Sequence, residues 1–103
     1  MDKKYVFQNV SINSMNFVNN KNDIKFEFID TFGNDEKYCG ELLCADILSL
    51  MMETDLDDYP YFPQFICDVS IEKYPKNKEH FLVVFEGGSY YISLTCRKAT
   101  YQK

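Results

Sequence analysis

Carboxylates crowd one short run of this chain. Between Glu53 and Pro63 stand Glu53, Asp55, Asp57 and Asp58, with no Lys or Arg among them, and Tyr59, Tyr61 and Phe62 alternate there with Pro60 and Pro63. Carboxylates at that density can hold a hard cation, serve as an acid–base pair, or present a negative face to a basic partner. Calcium fails on spacing. Asp55 and Asp57 match the opening of an EF-hand loop, but its glycine position falls on Pro60 and its bidentate glutamate position on Ile66. Glycoside cleavage needs two carboxylates set apart for the task, and nothing in the sequence singles out a pair. A recognition face makes fewer demands: the aromatics supply anchors, the acids an electrostatic collar, and the prolines lower the ordering cost of binding. The competing reading is a solvated loop whose acids only keep the protein soluble.

Other reactive groups are sparse. His80 is the only histidine, and it follows Lys78-Glu79 in a charged turn, so a Ser or Cys nucleophile has one poorly placed base at most. No G-x-S-x-G occurs, and Gly87-Gly88 is better explained by a hairpin than by a phosphate cradle. The four cysteines, Cys39, Cys44, Cys67 and Cys96, form no C-x-x-C pair, which argues against zinc and leaves buried thiols as the plain reading. No catalytic residue, metal or cofactor is expected.

The acids are unevenly spread. From Tyr38 to Glu72 the chain carries eight acids and no base, while the remainder has eight acids against eleven bases. A net charge of −5 therefore conceals one segment at −8 and a remainder at +3. With a pI near 4.7 the chain lacks the basic stripe that nucleic acid requires. Residues 1–9 show no apolar signal region, and no stretch approaches the ~20 apolar residues of a membrane span, so a cytoplasmic location is expected. At 103 residues, 46% of them hydrophobic, the chain is expected to form a single domain over 1–103 with one modest core. It shows no internal repeat and no linker.

The elements that must position these residues read mainly as strands. Tyr5 to Ile12 is β-prone but irregular. Met15 and Phe17, then Ile24, Phe26 and Phe28, alternate with polar residues about the loop Asn19-Asn20-Lys21-Asn22-Asp23, which predicts a hairpin with one apolar face. Phe65, Cys67, Val69 and Ile71 alternate in the same way, and Cys96 shares the parity of Ile92 and Leu94. A two-residue Gly87-Gly88 turn would pair Glu86 with Ser89, setting Phe85 opposite Tyr90, Val83 opposite Ile92 and Phe81 opposite Leu94. The contested piece is Glu41 to Glu53. Leu43, Ile47 and Met51 recur every four residues, which favours an amphipathic helix after Gly40, although a strand bent at Ala45-Asp46 also fits.

Three runs, "IKFEFID", "FPQFICDVSIEKY" and "FEGGSYYISLTCRKA", lie between residues 24 and 99. In their succession of strand, acidic loop and strand the chain resembles the small acidic cytosolic immunity proteins that bacteria encode beside secreted polymorphic toxins. The resemblance implies a non-enzymatic protein that binds a cognate toxin domain and blocks it.

The expected fold is mainly β, an antiparallel sheet or two packed sheets with at most one short helix near 42–53, the alternative being α+β. The expected function is a binding protein that neutralises a basic partner protein, through Asp55, Asp57, Asp58, Tyr59, Tyr61 and Phe62 with Asp68 and Glu72 extending the face. Two alternatives belong to other classes. A DNA-mimicking inhibitor would space its carboxylates along a helix or strand edge, whereas here they cluster with aromatics. A small enzyme would need partners for His80.

Overall fold

Side chains that alternate inward and outward along each strand, with local breaks in that alternation, decide how this chain closes. The computed structural model describes residues 3–20, 22–30, 37–54, 66–88 and 90–103. Six strands run through them: β1 (Lys4–Val18), β2 (Asp23–Asp30), β3 (Lys37–Thr54), β4 (Cys67–Tyr74), β5 (Asn77–Gly87) and β6 (Tyr90–Gln102). No helix occurs among the described residues. The strands pair antiparallel in the order β1-β2-β3-β6-β5-β4, and β4 pairs back onto β1 to close a barrel. The mainly β expectation holds, as one closed sheet rather than two packed ones.

Closure leaves an interior that side chains must fill. Phe7 of β1, Phe26 and Phe28 of β2 and Phe85 of β5 meet at its centre, with ring centroids 4.6 Å apart for Phe7–Phe28 and for Phe26–Phe85. Ile12, Ile24, Leu42, Val69, Val83, Ile92 and Leu94 complete the buried core. The hairpin over Met15 to Phe28 forms as its alternation predicts, except that Phe17, opposite Ile24, stays 55% exposed beside the turn.

The irregular β1 has a structural cause. Its register shifts between Tyr5 and Phe7, between Phe7 and Val10, and between Ile12 and Ser14, and Asn9 sits at φ 56°. These bulges let one strand pair with β4 over its first half and β2 over its second. Gly40 answers a closer constraint. It holds φ +143°, and a Cβ there would lie 2.4 Å from the Gln102 carbonyl oxygen and 2.9 Å from the Phe7 ring. Gly40 is thus the point where β3 lets β6 and Phe7 approach.

No helix forms over Glu41 to Glu53, which lies within β3; the bent strand is the reading that holds. The helical spacing is an imitation. Leu42 and Cys44 face inward, Ile47 pairs with the buried Cys96, and Leu50 and Met52 pair with the buried Leu94 and Ile92. Inward positions therefore step by three residues between Cys44 and Ile47 and between Ile47 and Leu50, where β3 kinks at Asp46 (φ 55°) and then shifts register. The four-residue spacing of Leu43, Ile47 and Met51 therefore marks no shared face: Leu43 pairs with the exposed Thr100 and Met51 is 52% exposed, while Ile47 packs against the core. The kink is pinned by the β1–β2 turn. Asp46 donates its backbone N–H to an Asp23 carboxylate oxygen at 2.9 Å, Asn19 donates its amide to the other oxygen at 2.6 Å, and the Asn22 carbonyl accepts from Ile47 at 2.8 Å.

The C-terminal hairpin keeps its predicted faces but not its predicted partners. Glu86 pairs with Tyr91, Phe85 with Ile92, Val83 with Leu94 and Phe81 with Cys96. The loop is thus two residues longer than a glycine pair alone would make it, and Gly88 does not adopt a left-handed φ. A shift of two preserves side-chain parity, so Val83, Phe85, Ile92 and Leu94 remain buried and Phe81 half-buried.

Three outcomes test this account. Phe85→Ala should cost about 3–5 kcal/mol by urea unfolding. Glu86→Ala, which loses only an exposed ion pair with Lys3, should cost less than about 1 kcal/mol, and comparable losses would refute the register. The Asn19 amide, and then the Asp46 N–H, hold the Asp23 carboxyl below its ordinary pKa. Its stabilisation is therefore complete above the normal carboxylate range and lost as pH falls through the depressed value. Asp23→Ala should lower the urea midpoint at neutral pH, and the gap to the native protein should close in acid; a constant gap would mean the pin is not electrostatic. All four cysteines are thiols, with Cys44, Cys67 and Cys96 buried. In protein prepared without reductant, an Ellman titration should count four thiols after denaturation and give a fast phase only at Cys39 before it.

Candidate functional site

Asp55, Asp57, Asp58, Tyr59, Tyr61 and Phe62 lie outside the described residues, so the geometry of the candidate face rests on the strands on either side of them. Asp68 and Glu72 stand on β4, both on its outer side, four residues and so about 13 Å apart along the strand. Neither is a bare surface charge. An Asp68 carboxylate oxygen accepts the backbone N–H of Asn9 at 2.9 Å, tying β4 to the bulge of β1. Glu72 is half-buried at the edge of a cavity that also involves Lys4 and Lys73.

The register assembles a row that the linear sequence conceals. Glu53 of β3 pairs with Tyr91 of β6, Tyr91 with Glu86 of β5, and Glu86 with Asp68 of β4. Residues directly opposite in a sheet share a face, and adjacent strands lie about 4.8 Å apart. Three carboxylates and one tyrosine therefore line up across roughly 14 Å of outer wall. Tyr91 is 38% exposed and stands between two acids. Glu86 also accepts a hydrogen bond from Lys3, Nζ to oxygen at 3.1 Å, and that bond holds the ammonium above its ordinary pKa. The row sits at the end of the barrel where β3 stops at Thr54 and β4 starts at Cys67.

Beside it the wall turns apolar. Leu48 and Met51 are 44% and 52% exposed, and Leu50 and Met52, although they share the inward face with Leu94 and Ile92, are still 38% and 37% exposed. Past Cys44, β3 leaves β2, so Leu48 to Thr54 has β6 on one side and no paired strand on the other among the described residues.

Of the eight acids between Tyr38 and Glu72, Glu41 is answered locally, since Lys25 of β2 reaches it at 3.1 Å. His80 stands in β5 near the β4–β5 turn, 3.5 Å from the Asn77 amide, a long contact within the turn itself.

Reading the sequence missed Tyr91, Glu86 and the apolar strip. The two-residue turn assigned to Gly87-Gly88 put Glu86 opposite Ser89 and so hid its pairing with Tyr91. The strip did carry a signal. Ile47-Leu48-Ser49-Leu50-Met51-Met52 has five apolar residues in six, and a strand with one buried face cannot hide them all.

Comparison with known proteins bears on fold and family. No curated protein matches the chain. A crystal structure of an uncharacterized protein from Neisseria gonorrhoeae superposes with a TM-score of 0.81 at 24% identity, covering 100% of this chain and 99% of that one. At that identity the likeness is one of fold. A protein-family model matches residues 5–103. Matched over nearly its whole length, the chain belongs to that family, and it shares its fold with the Neisseria protein.

Proposed function

We propose that this chain is a non-enzymatic binding protein that neutralises a basic partner protein, a toxin domain being the partner that its resemblance to bacterial immunity proteins implies. The observation that carries the reading is the row Glu53–Tyr91–Glu86–Asp68, flanked by exposed Met51 and leading at Thr54 into Asp55, Asp57 and Asp58. A tyrosine between carboxylates, next to apolar surface, combines a desolvated anchor with a charged collar. Clustered negative charge speeds encounter with a basic surface and disfavours acidic ones. The acids of the row converge from three strands, so the face belongs to the folded wall and not to one loop alone.

The first requirement is a basic protein captured from native lysate whose expression alone arrests growth and whose co-expression with this chain does not. With that protein in hand, association and dissociation rates across ionic strength separate the roles. Asp55→Asn, Asp57→Asn and Asp58→Asn together should slow association at low salt and flatten its salt dependence. Tyr91→Ala should mainly raise the dissociation rate, by about tenfold or more for a true anchor. Thermal unfolding of both variants should stay close to native. Unchanged rates for both would return this wall to ordinary solvated surface.

A further inference from the structure

The opposite end of the barrel holds a different kind of site, and its origin lies in the strand register. Pairing between β5 and β6 stops at Phe81 and Cys96, and pairing between β1 and β4 stops at Lys4 and Ile71. Beyond Cys96, β6 continues to Gln102 with only β3 beside it. The wall between the end of β6 and the β4–β5 turn is thus left without backbone pairing, and side chains bound the opening. The result is a cavity of about 260 Å³.

Its lining is sorted by chemistry. Val6, Ile71, Phe81 and Ala99, one from each of four strands, form an apolar floor. Cations stand at the rim. Lys4 donates from Nζ to the Tyr101 hydroxyl at 2.9 Å, and at 5.5 Å from the ring centroid its ammonium lies at the hydroxyl edge and not over the ring face. Tyr101 is held edge-on by Phe7, with centroids 6.1 Å apart, so the phenol has a fixed seat. Lys73 lines the same opening, and Glu72 offsets one of the two charges. The hydrogen bond from Lys4, aided by the charges of Lys4 and Lys103, holds the Tyr101 phenol below its ordinary pKa, which agrees with a positive mouth. An ammonium bonded to one neutral phenol keeps two more protons for another acceptor.

From this arrangement we infer that the cavity binds a small anionic amphiphile, an aliphatic carboxylate whose tail lies on Val6, Ile71, Phe81 and Ala99 and whose headgroup meets Lys4, Lys73 and the Tyr101 hydroxyl. Ligand pockets combine an apolar lining with a few placed polar groups in this way, and the volume, below the usual ~300–1,000 Å³ range, calls for a short chain. A charge-assisted hydrogen bond at the mouth fixes the sign of the headgroup. The site lies at the other end of the barrel from Thr54 and Cys67, so it stands or falls independently of the acidic wall.

Octanoate is a suitable probe, with octylammonium as its counterpart of equal tail and opposite charge. Titrated into uniformly ¹⁵N-labelled protein at neutral pH, octanoate should give saturable amide shifts centred on Val6, Ile71, Phe81, Ala99 and Tyr101. Octylammonium should bind about tenfold more weakly or not at all, because one lost charge-assisted bond is worth about that factor. Lys4→Gln with Lys73→Gln should weaken octanoate by a similar factor while leaving the spectrum of the acidic wall unchanged. The inference is overturned if octanoate shifts do not saturate, if they centre elsewhere, or if the native protein binds both probes equally. The two-probe comparison on the native chain decides the matter even where a variant fails to fold.

Discussion

Everything described here depends on the barrel being filled as well as closed. A six-stranded ring leaves an interior narrow enough for side chains to occupy, and four phenylalanines from three strands occupy it. Phe28 is the common neighbour, with Phe7, Phe26 and Phe85 all within 6.4 Å of it between centroids. Because Phe7 and Phe28 must meet, β1 bends through its bulges, and Gly40 gives up its side chain to let Phe7 and the end of β6 past. The two candidate surfaces lie at the two ends of this packed column. Each is held in place by the same rings.

Much of the strand pattern was legible in the sequence because alternation is a strong signal. Ile24, Phe26 and Phe28, and again Cys67 and Val69, bury as their spacing predicts. The places where legibility fails are places where alternation breaks. Across the kink at Asp46 the four-residue spacing of Leu43, Ile47 and Met51 imitates a helix, although pairing with the neighbouring β6 puts Leu43 and Met51 outside and Ile47 inside. At Gly87-Gly88 local turn chemistry favours the tightest hairpin, while the observed register is two residues wider, with Gly87 also paired to Cys67 of β4. Parity survives such a shift and partners do not. The buried faces could therefore be read correctly while the outer row around Tyr91 could not.

The charge asymmetry seen in the sequence acquires a geometry. At one end Glu53, Glu86 and Asp68 converge around Tyr91; at the other, Lys4 and Lys73 border an apolar cavity beside Lys103, whose ammonium lies 5.6 Å from the Phe7 ring. Neither grouping is contiguous in the chain. Antiparallel pairing brings together residues distant in sequence, so a run of acids in the sequence indicated where negative charge is dense without marking where it converges on the wall.

The order β1-β2-β3-β6-β5-β4 also governs how the chain reaches its native state. The β1–β2 and β2–β3 hairpins are local and can zip early, as can β4–β5 and β5–β6. Closing the ring is another matter. β3 must find β6, and the start of β1 must find β4, across separations of roughly a third to two thirds of the chain. Such non-local pairing places the domain among slow folders, on a timescale of milliseconds to seconds. During synthesis the ring cannot close until β6 has emerged to take its place between β3 and β5.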